Sequence, residues 1–276
     1  MSVASRNSTI NWCPPIHHTV SGPTDPSNTI LHSSFVVLIV GSSRGIGKGT
    51  ALAYARAGAS GIILTGRSQE GLQLAEAEVR GVAKHPQVDV LGVPCDVCSD
   101  EDLRQLSIKV KEHFGRLDVL VINAGVATKL VTRPDGSRDW PRDITELDLA
   151  DFRRTFDVNF FGVVSSLKYL LPLVEAAGVR KEPKSGTDVE RDGEWESPQS
   201  IIIVTSSAIH HYDPKLMAMG YALSKYSAAR VSEFAHEGHK GKGVCTFAIQ
   251  PGGVMTGETQ NAQKTALQLH SRFFTA

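Results

Sequence analysis

Tyr221 and Lys225, in the stretch GYALSKYS, stand four positions apart. On a helix that spacing puts both side chains on one face, where a phenol and an ammonium group can converge on one small volume. A cation beside a phenol favours the phenolate and pulls its pKa down from about 10. The pair then has the chemistry of a proton donor or acceptor at working pH. Taken alone, the pattern is met equally by an amphipathic helix with one exposed lysine. The elements that position it have to decide.

A second candidate lies near the start. VGSSRGIG (40–47) falls where an apolar run, FVVLIVG (35–41), gives way to helical periodicity in GIGKGTALAYARAG. Glycines at such a junction let backbone approach a pyrophosphate, and the helix N-terminus offers free N–H groups. The spacing is GxxxGxG, through Gly41, Gly45 and Gly47, rather than the commoner GxGxxG, but the strand-then-helix context is the required one. Gly41, Ser43, Arg44, Gly45, Ile46 and Gly47 are therefore the candidate phosphate cradle, with a plain turn as the alternative. The next apolar run ends Thr65-Gly66-Arg67, without the acid that an NAD site places about 20 residues past the glycines. A guanidinium at Arg67, helped by Arg44, suits a 2′-phosphate and hence NADP(H). Two solvated surface arginines would read the same way.

The pattern around these candidates is one of alternation. Apolar strand runs at 35–41, 61–67, 88–97, 117–125, 200–207 and 243–253 are separated by helical segments, one of them opening on Ser68 as N-cap. This predicts an α/β fold with a single parallel doubly wound sheet and helices on both faces. Residues 1–32 read as a flexible or loosely packed extension and 33–276 as one domain. Polar loops are expected at 128–143 and 179–199.

Composition narrows the partners. Lys+Arg and Asp+Glu are equal at 29 each, so there is no overall basic field for nucleic acid or an anionic membrane. No continuous apolar run reaches the 18 residues of a bilayer span, and the N-terminus lacks a basic start followed by an apolar stretch. Four cysteines are too few for a disulfide framework and fit a reduced, cytoplasmic setting. Cys95 and Cys98 form a CxxC with no second one to complete a zinc site, and the scattered histidines lack ligand spacing, so no metal is expected.

Seven motifs in order, GSSRGIG (41–47), CDV (95–97), NAG (123–125), VNFFG (158–162), TSS (205–207), YALSK (221–225) and PGGVMT (251–256), resemble the short-chain dehydrogenase/reductase family, and its fungal members in particular. The resemblance covers about residues 33–256 and implies a Rossmann-type fold and an NADP(H)-dependent oxidoreductase acting on a ketone or secondary alcohol. It makes Tyr221 the acid/base and Lys225 the group that lowers its pKa and holds the nicotinamide ribose. Ser207 would bond the substrate oxygen, preferred over Ser206, and Asn159 would hold a water linking the lysine to solvent. Asp96 and Val97 would meet the adenine, Asn123, Ala124 and Gly125 pass close to the cofactor, and Pro251, Gly252, Val254 and Thr256 flank the carboxamide. A small-molecule substrate, a homo-oligomer and a place in fungal secondary metabolism follow from the same likeness. A catalytically idle nucleotide-binding homologue, and a non-redox isomerase or dehydratase on the same scaffold, are the alternatives.

The chain departs from the family pattern in three places. Val40 stands where threonine is usual, the segment at 179–199 is long, and only 20 residues follow PGGVMT. The last departure predicts an open sheet edge and a thinly covered site.

Overall fold

Uninterrupted β-branched and leucine runs can lie only in the middle of a sheet covered on both faces. β1 (Val36–Val40) is such a run, buried at every position in the computed structural model. The structure describes residues 20–29, 31–32, 34–182, 195–214, 217–252, 254 and 256. α1 (Gly45–Ala57) follows, then β2 (Gly61–Gly66), α2 (Gln69–Val82), β3 (Asp89–Pro94), α3 (Asp100–Phe114) and β4 (Val119–Ile122). Ser68 and Ser99 cap α2 and α3 through their side chains, and Gly58 and Gly115 end α1 and α3 in the left-handed conformation.

After β4 the chain makes a two-stranded hairpin, β5 (Val131–Thr132) with β6 (Arg138–Asp139), within a stretch whose composition predicts only a polar loop. α4 (Leu149–Phe156) runs through a π-helical turn at Asp157–Phe161 into α5 (Gly162–Ala177). This continuous helix is long and apolar enough to cross a membrane by composition, but Leu167, Leu170, Leu171 and Val174 pack it on the sheet as a core element. A ribbon of β7 (Arg180–Glu182) and β8 (Trp195–Ser197) brackets 183–194, which lie outside the described residues. β9 (Gln199–Val204), α6 (Met219–His239) and β10 (Val244–Ile249) complete the fold.

The six long strands form one parallel sheet in the order β10-β9-β4-β1-β2-β3. The chain leaves β1 in one direction for β2 and β3 and returns to its other side with β4. Such a reversal opens a crevice at the carboxyl ends of β1 and β4, and both glycine-bearing motifs follow those two strands. One face of the sheet packs against α3, α5 and α6, the other against α1 and α2. In β10, Phe247 and Ile249 pair with Ile202 and Val204 and so point to the α1/α2 face, where both are exposed. No helix covers β9 and β10 on that face among the described residues.

The described part of the 1–32 segment is packed on the domain. Two 3-10 turns, Gly22–Thr24 and Pro26–Asn28, lie there, and Lys84 Nζ donates to the carbonyls of Ser27 (3.0 Å) and Thr29 (3.2 Å). Residues 1–19 and 257–276 lie outside the described residues, and with them what the sequence leads one to expect of the tail beyond PGGVMT.

Candidate active site

The glycine turn between β1 and α1 is shaped by close backbone approaches. Gly41 sits at φ +80°, and a Cβ on it would stand 2.7 Å from Ala124 Cα. A Cβ on Gly47 would stand 2.2 Å from the Gly41 carbonyl oxygen, so the first turn of α1 lies directly on the turn before it. Gly45 takes φ +59°, with the Thr256 methyl nearby. Asn123 Nδ2 donates to the Gly41 carbonyl at 2.7 Å and fastens the end of β4 to this turn.

Two hydroxyls that the motif reading overlooks complete the frame. Gly41 N–H donates to Thr65 Oγ1 at 3.2 Å, and Thr65 N–H donates to Ser42 Oγ at 3.0 Å. Ser42 Oγ in turn donates to the Ile39 carbonyl, and its N–H to the Thr65 carbonyl. With Val40 in the usual threonine position, these hydroxyls come from Ser42, two residues along, and from Thr65 of β2. Their only sequence signal is a hydroxyl residue at the end of each of two adjacent strands.

α1 differs at its start from the three helices that follow it. Ser68, Ser99 and Asp148 cap α2, α3 and α4, whereas Arg44 at the N-cap of α1 makes no side-chain cap. The first N–H groups of α1 are thus left to an anion, and the glycines keep side chains away from it. The cradle fits a nucleotide pyrophosphate. Arg44 and Arg67 are both exposed at this end, Ser43 lies between Gly66 and Gly71, and Thr256 and Val254 lie on the exit from β10 with Pro251 and Gly252. Asp96 Oδ1 accepts from Cys98 N–H at 3.0 Å, which shapes the turn after β3. Val97 is buried against Gly162, where a Cβ would stand 2.8 Å from Val97 Cγ2. Burial, with nearby carboxylates, pushes the Cys95 thiol up to about 12 and the Cys98 thiol to about 11, so the CxxC holds neutral thiols.

The second cluster gathers on α6. Lys225 is only 4% exposed, and its Nζ donates to the Val204 carbonyl at the end of β9, 2.9 Å away. Burial lowers its pKa to about 8. A Cβ on Gly125 would stand 3.1 Å from Lys225 Nζ and 3.2 Å from Asn159 Oδ1, so glycine is what lets these three residues meet. Tyr221 lies one helical turn before Lys225 and is partly buried. The two are brought to one side of α6, beside the crevice.

Asn159 sits in the π-helical turn and is fully buried. Its Oδ1 accepts from Val126 N–H (2.8 Å), while Nδ2 donates to the Val126 carbonyl (2.9 Å) and to Ser224 Oγ (3.0 Å). Ser224 donates onward to the Tyr221 carbonyl. Both amide protons are engaged, so the side chain pins the loop after β4 to α6 and keeps one lone pair for any water. Ser224, the serine inside YALSK, is the third residue that motif reading left without a role. The two candidate serines separate: Ser206 Oγ accepts from Ala208 N–H as the cap of a short 3-10 turn, leaving Ser207 as the one not engaged in the cap.

This frame has many counterparts. The chain is 30% identical over 242 residues to the short chain dehydrogenase mpl6 of Monascus purpureus, covering 87% of this chain and 71% of that protein. It is 28% identical to the short chain dehydrogenase pgmD of Aspergillus terreus, over 88% of this chain and 71% of the relative. Among solved structures, a short-chain type dehydrogenase/reductase from Mycobacterium ulcerans superposes with a TM-score of 0.69 at 21% identity, covering 88% of this chain and 75% of the other. An alcohol dehydrogenase from Thermococcus sibiricus, complexed with 5-hydroxy-NADP, superposes at 0.60 with 26% identity, over 78% and 75%. Residues 35–187 match the family described as short chain dehydrogenase, which spans the glycine turn, the β4 exit and the π-helical turn together. With that match and that extent of likeness, the chain belongs to the short chain dehydrogenase family.

Proposed function

We propose that this protein interconverts a ketone and a secondary alcohol with NADP(H), using Tyr221 as the acid/base. The observation that carries the reading is the buried Lys225, fixed by the Val204 carbonyl and packed against Gly125, on the same side of α6 as Tyr221. A lysine taken out of water is costly, and placing one beside a tyrosine and a crevice has a use only if its charge acts there.

A bound nicotinamide supplies or accepts the hydride. Gly41, Ser43, Gly45, Ile46 and Gly47 hold its pyrophosphate on the uncapped start of α1, and Asn123, Ala124 and Gly125 back it at the end of β4. Tyr221 gives its phenolic proton to the substrate oxygen in reduction and takes it back in oxidation. Lys225 stabilises the phenolate that this leaves. Ser207 donates a hydrogen bond to the same oxygen and fixes its position. Asn159 keeps the loop and α6 in register. Arg67 and Arg44 take the 2′-phosphate; the absence of an acid after β2 and the relative solved with an NADP analogue support this choice.

Titration with NADPH and NADH, followed by nicotinamide fluorescence, tests the cofactor assignment. Arg67→Ala is expected to weaken NADPH by about tenfold and leave NADH nearly unchanged, the loss of one charge-assisted contact. Equal weakening of both nucleotides would remove Arg67 from the phosphate site. Nicotinamide oxidation with a panel of ketones tests the reaction itself.

A further inference from the structure

At Gly220, the residue before Tyr221, the loop after β4 and the first turn of α4 border a cavity of ≈ 160 Å³, its apolar wall made by Leu130, Val131, Pro141, Leu147, Phe152 and Gly220. The carboxylates at its margin are already engaged. Asp148 accepts from Ala150 N–H, and Asp151 accepts from Lys129 N–H and Arg154 Nε. Gly220 helps to keep the space open, since a Cβ there would stand 3.1 Å from Phe152 Cδ2. A space of about 150 Å³ is large enough for a benzene ring. Thr128 Oγ1 in its wall, buried with no hydrogen-bond partner among the described residues, leaves one polar point for a ligand atom.

Its position ties it to the chemistry. Gly220 directly precedes Tyr221, and Thr128, also in the wall, follows Gly125 by three residues, at most about 10 Å of chain. We propose that this cavity is a side subsite for the substrate, taking a phenyl-sized ring or a branched alkyl group carried a few bonds from the reacting carbonyl. The inference rests on the carbonyl-reducing role of Tyr221. It adds the class of ketone: one with a compact apolar arm rather than a small or polyhydroxylated one. Burying such an arm is worth about tenfold or more in kcat/KM.

The test compares 2-butanone with 4-phenyl-2-butanone, using the full chain and NADPH. Wild type is expected to favour the phenyl ketone by about tenfold. Leu147→Phe, filling the far wall, is expected to erase that preference through KM while leaving 2-butanone unchanged. Leu147→Ala should shift preference the other way, toward a naphthyl ketone. If wild type treats both ketones alike, or both variants change them in equal proportion, the subsite is overturned while the reductase reading stands. If wild type acts on other ketones of the panel but on neither of these, the subsite is likewise overturned while the reductase reading stands. If it acts on none of the panel, the reductase reading falls and takes the subsite with it. Should Leu147→Phe fail to fold, the opposite shift in Leu147→Ala still decides.

Discussion

The glycine turn and the Lys225 cluster lie on either side of one crevice and are built on opposite plans. The turn is held by backbone and neutral side chains, with Thr65 and Asn123 bonded to Gly41 and Ser42 tied to Thr65 and Ile39. Its specificity is one of shape: three positions where a side chain would strike backbone or force a strained φ. The cluster instead buries a charge-bearing amine against a carbonyl, an amide and a glycine. The first plan stabilises the fold as it forms the site. The second costs stability to hold a group whose proton affinity is altered. Binding and chemistry thus rest on different physics in neighbouring residues, and each should fail in its own way.

Tyr221→Phe gives the sharpest separation. Turnover should drop by about 10²–10⁴-fold, with NADPH affinity and melting temperature unchanged. A parallel loss of NADPH binding would mean that the two sites are one unit. Gly47→Ala is the converse, because its Cβ would meet the Gly41 carbonyl, which is backbone and cannot swing aside. We expect a loss of about 3 kcal/mol in urea unfolding and no measurable NADPH binding.

Lys225→Met probes the cost of the buried amine. Its folded pKa of about 8 lies below the ordinary 10.5, so the unfolded chain holds the extra proton between those values. Wild-type stability from this group therefore rises as pH climbs through that window, and its penalty is fully present below pH 8. The difference in unfolding free energy between wild type and Lys225→Met should change with pH across the window; a constant difference would show an amine that is not desolvated. The smallest effect belongs to Thr65→Val, about 1 kcal/mol for one lost hydrogen bond, with a matching small loss of NADPH affinity.

Much of this was legible before the fold was seen, and for a physical reason. GSSRGIG and YALSK are sets of chain neighbours, so helix and turn geometry alone bring their members together. The alternation of apolar runs likewise led to the parallel sheet with helices on both faces. Ser42, Thr65 and Ser224 stayed hidden because their partners come from other strands or helices, and a lone hydroxyl carries no periodic signal. The β5–β6 hairpin was hidden for a related reason. Its four paired residues are mostly polar, and it is held by the Arg133–Glu146 and Arg142–Asp139 ion pairs and by Trp140 Nε1 donating to the Pro214 carbonyl. The Pro26–Asn28 turn is tied to the domain by Lys84, far along the chain, and local composition could not show that.

The strand order also sets a timetable. β1 meets β2, and β2 meets β3, each after a single helix; β4 must find β9 across α4, α5 and both long loops, to set Val119 beside Ser200. Distant pairings close later because more chain entropy is lost before any contact compensates for it. During refolding, and as the chain leaves the ribosome, the β1–β3 half can assemble while α6 is still unattached. The acquisition of catalysis should then lag behind the burial of Val37 and Ile39, and stopped-flow refolding read by both signals would time the interval.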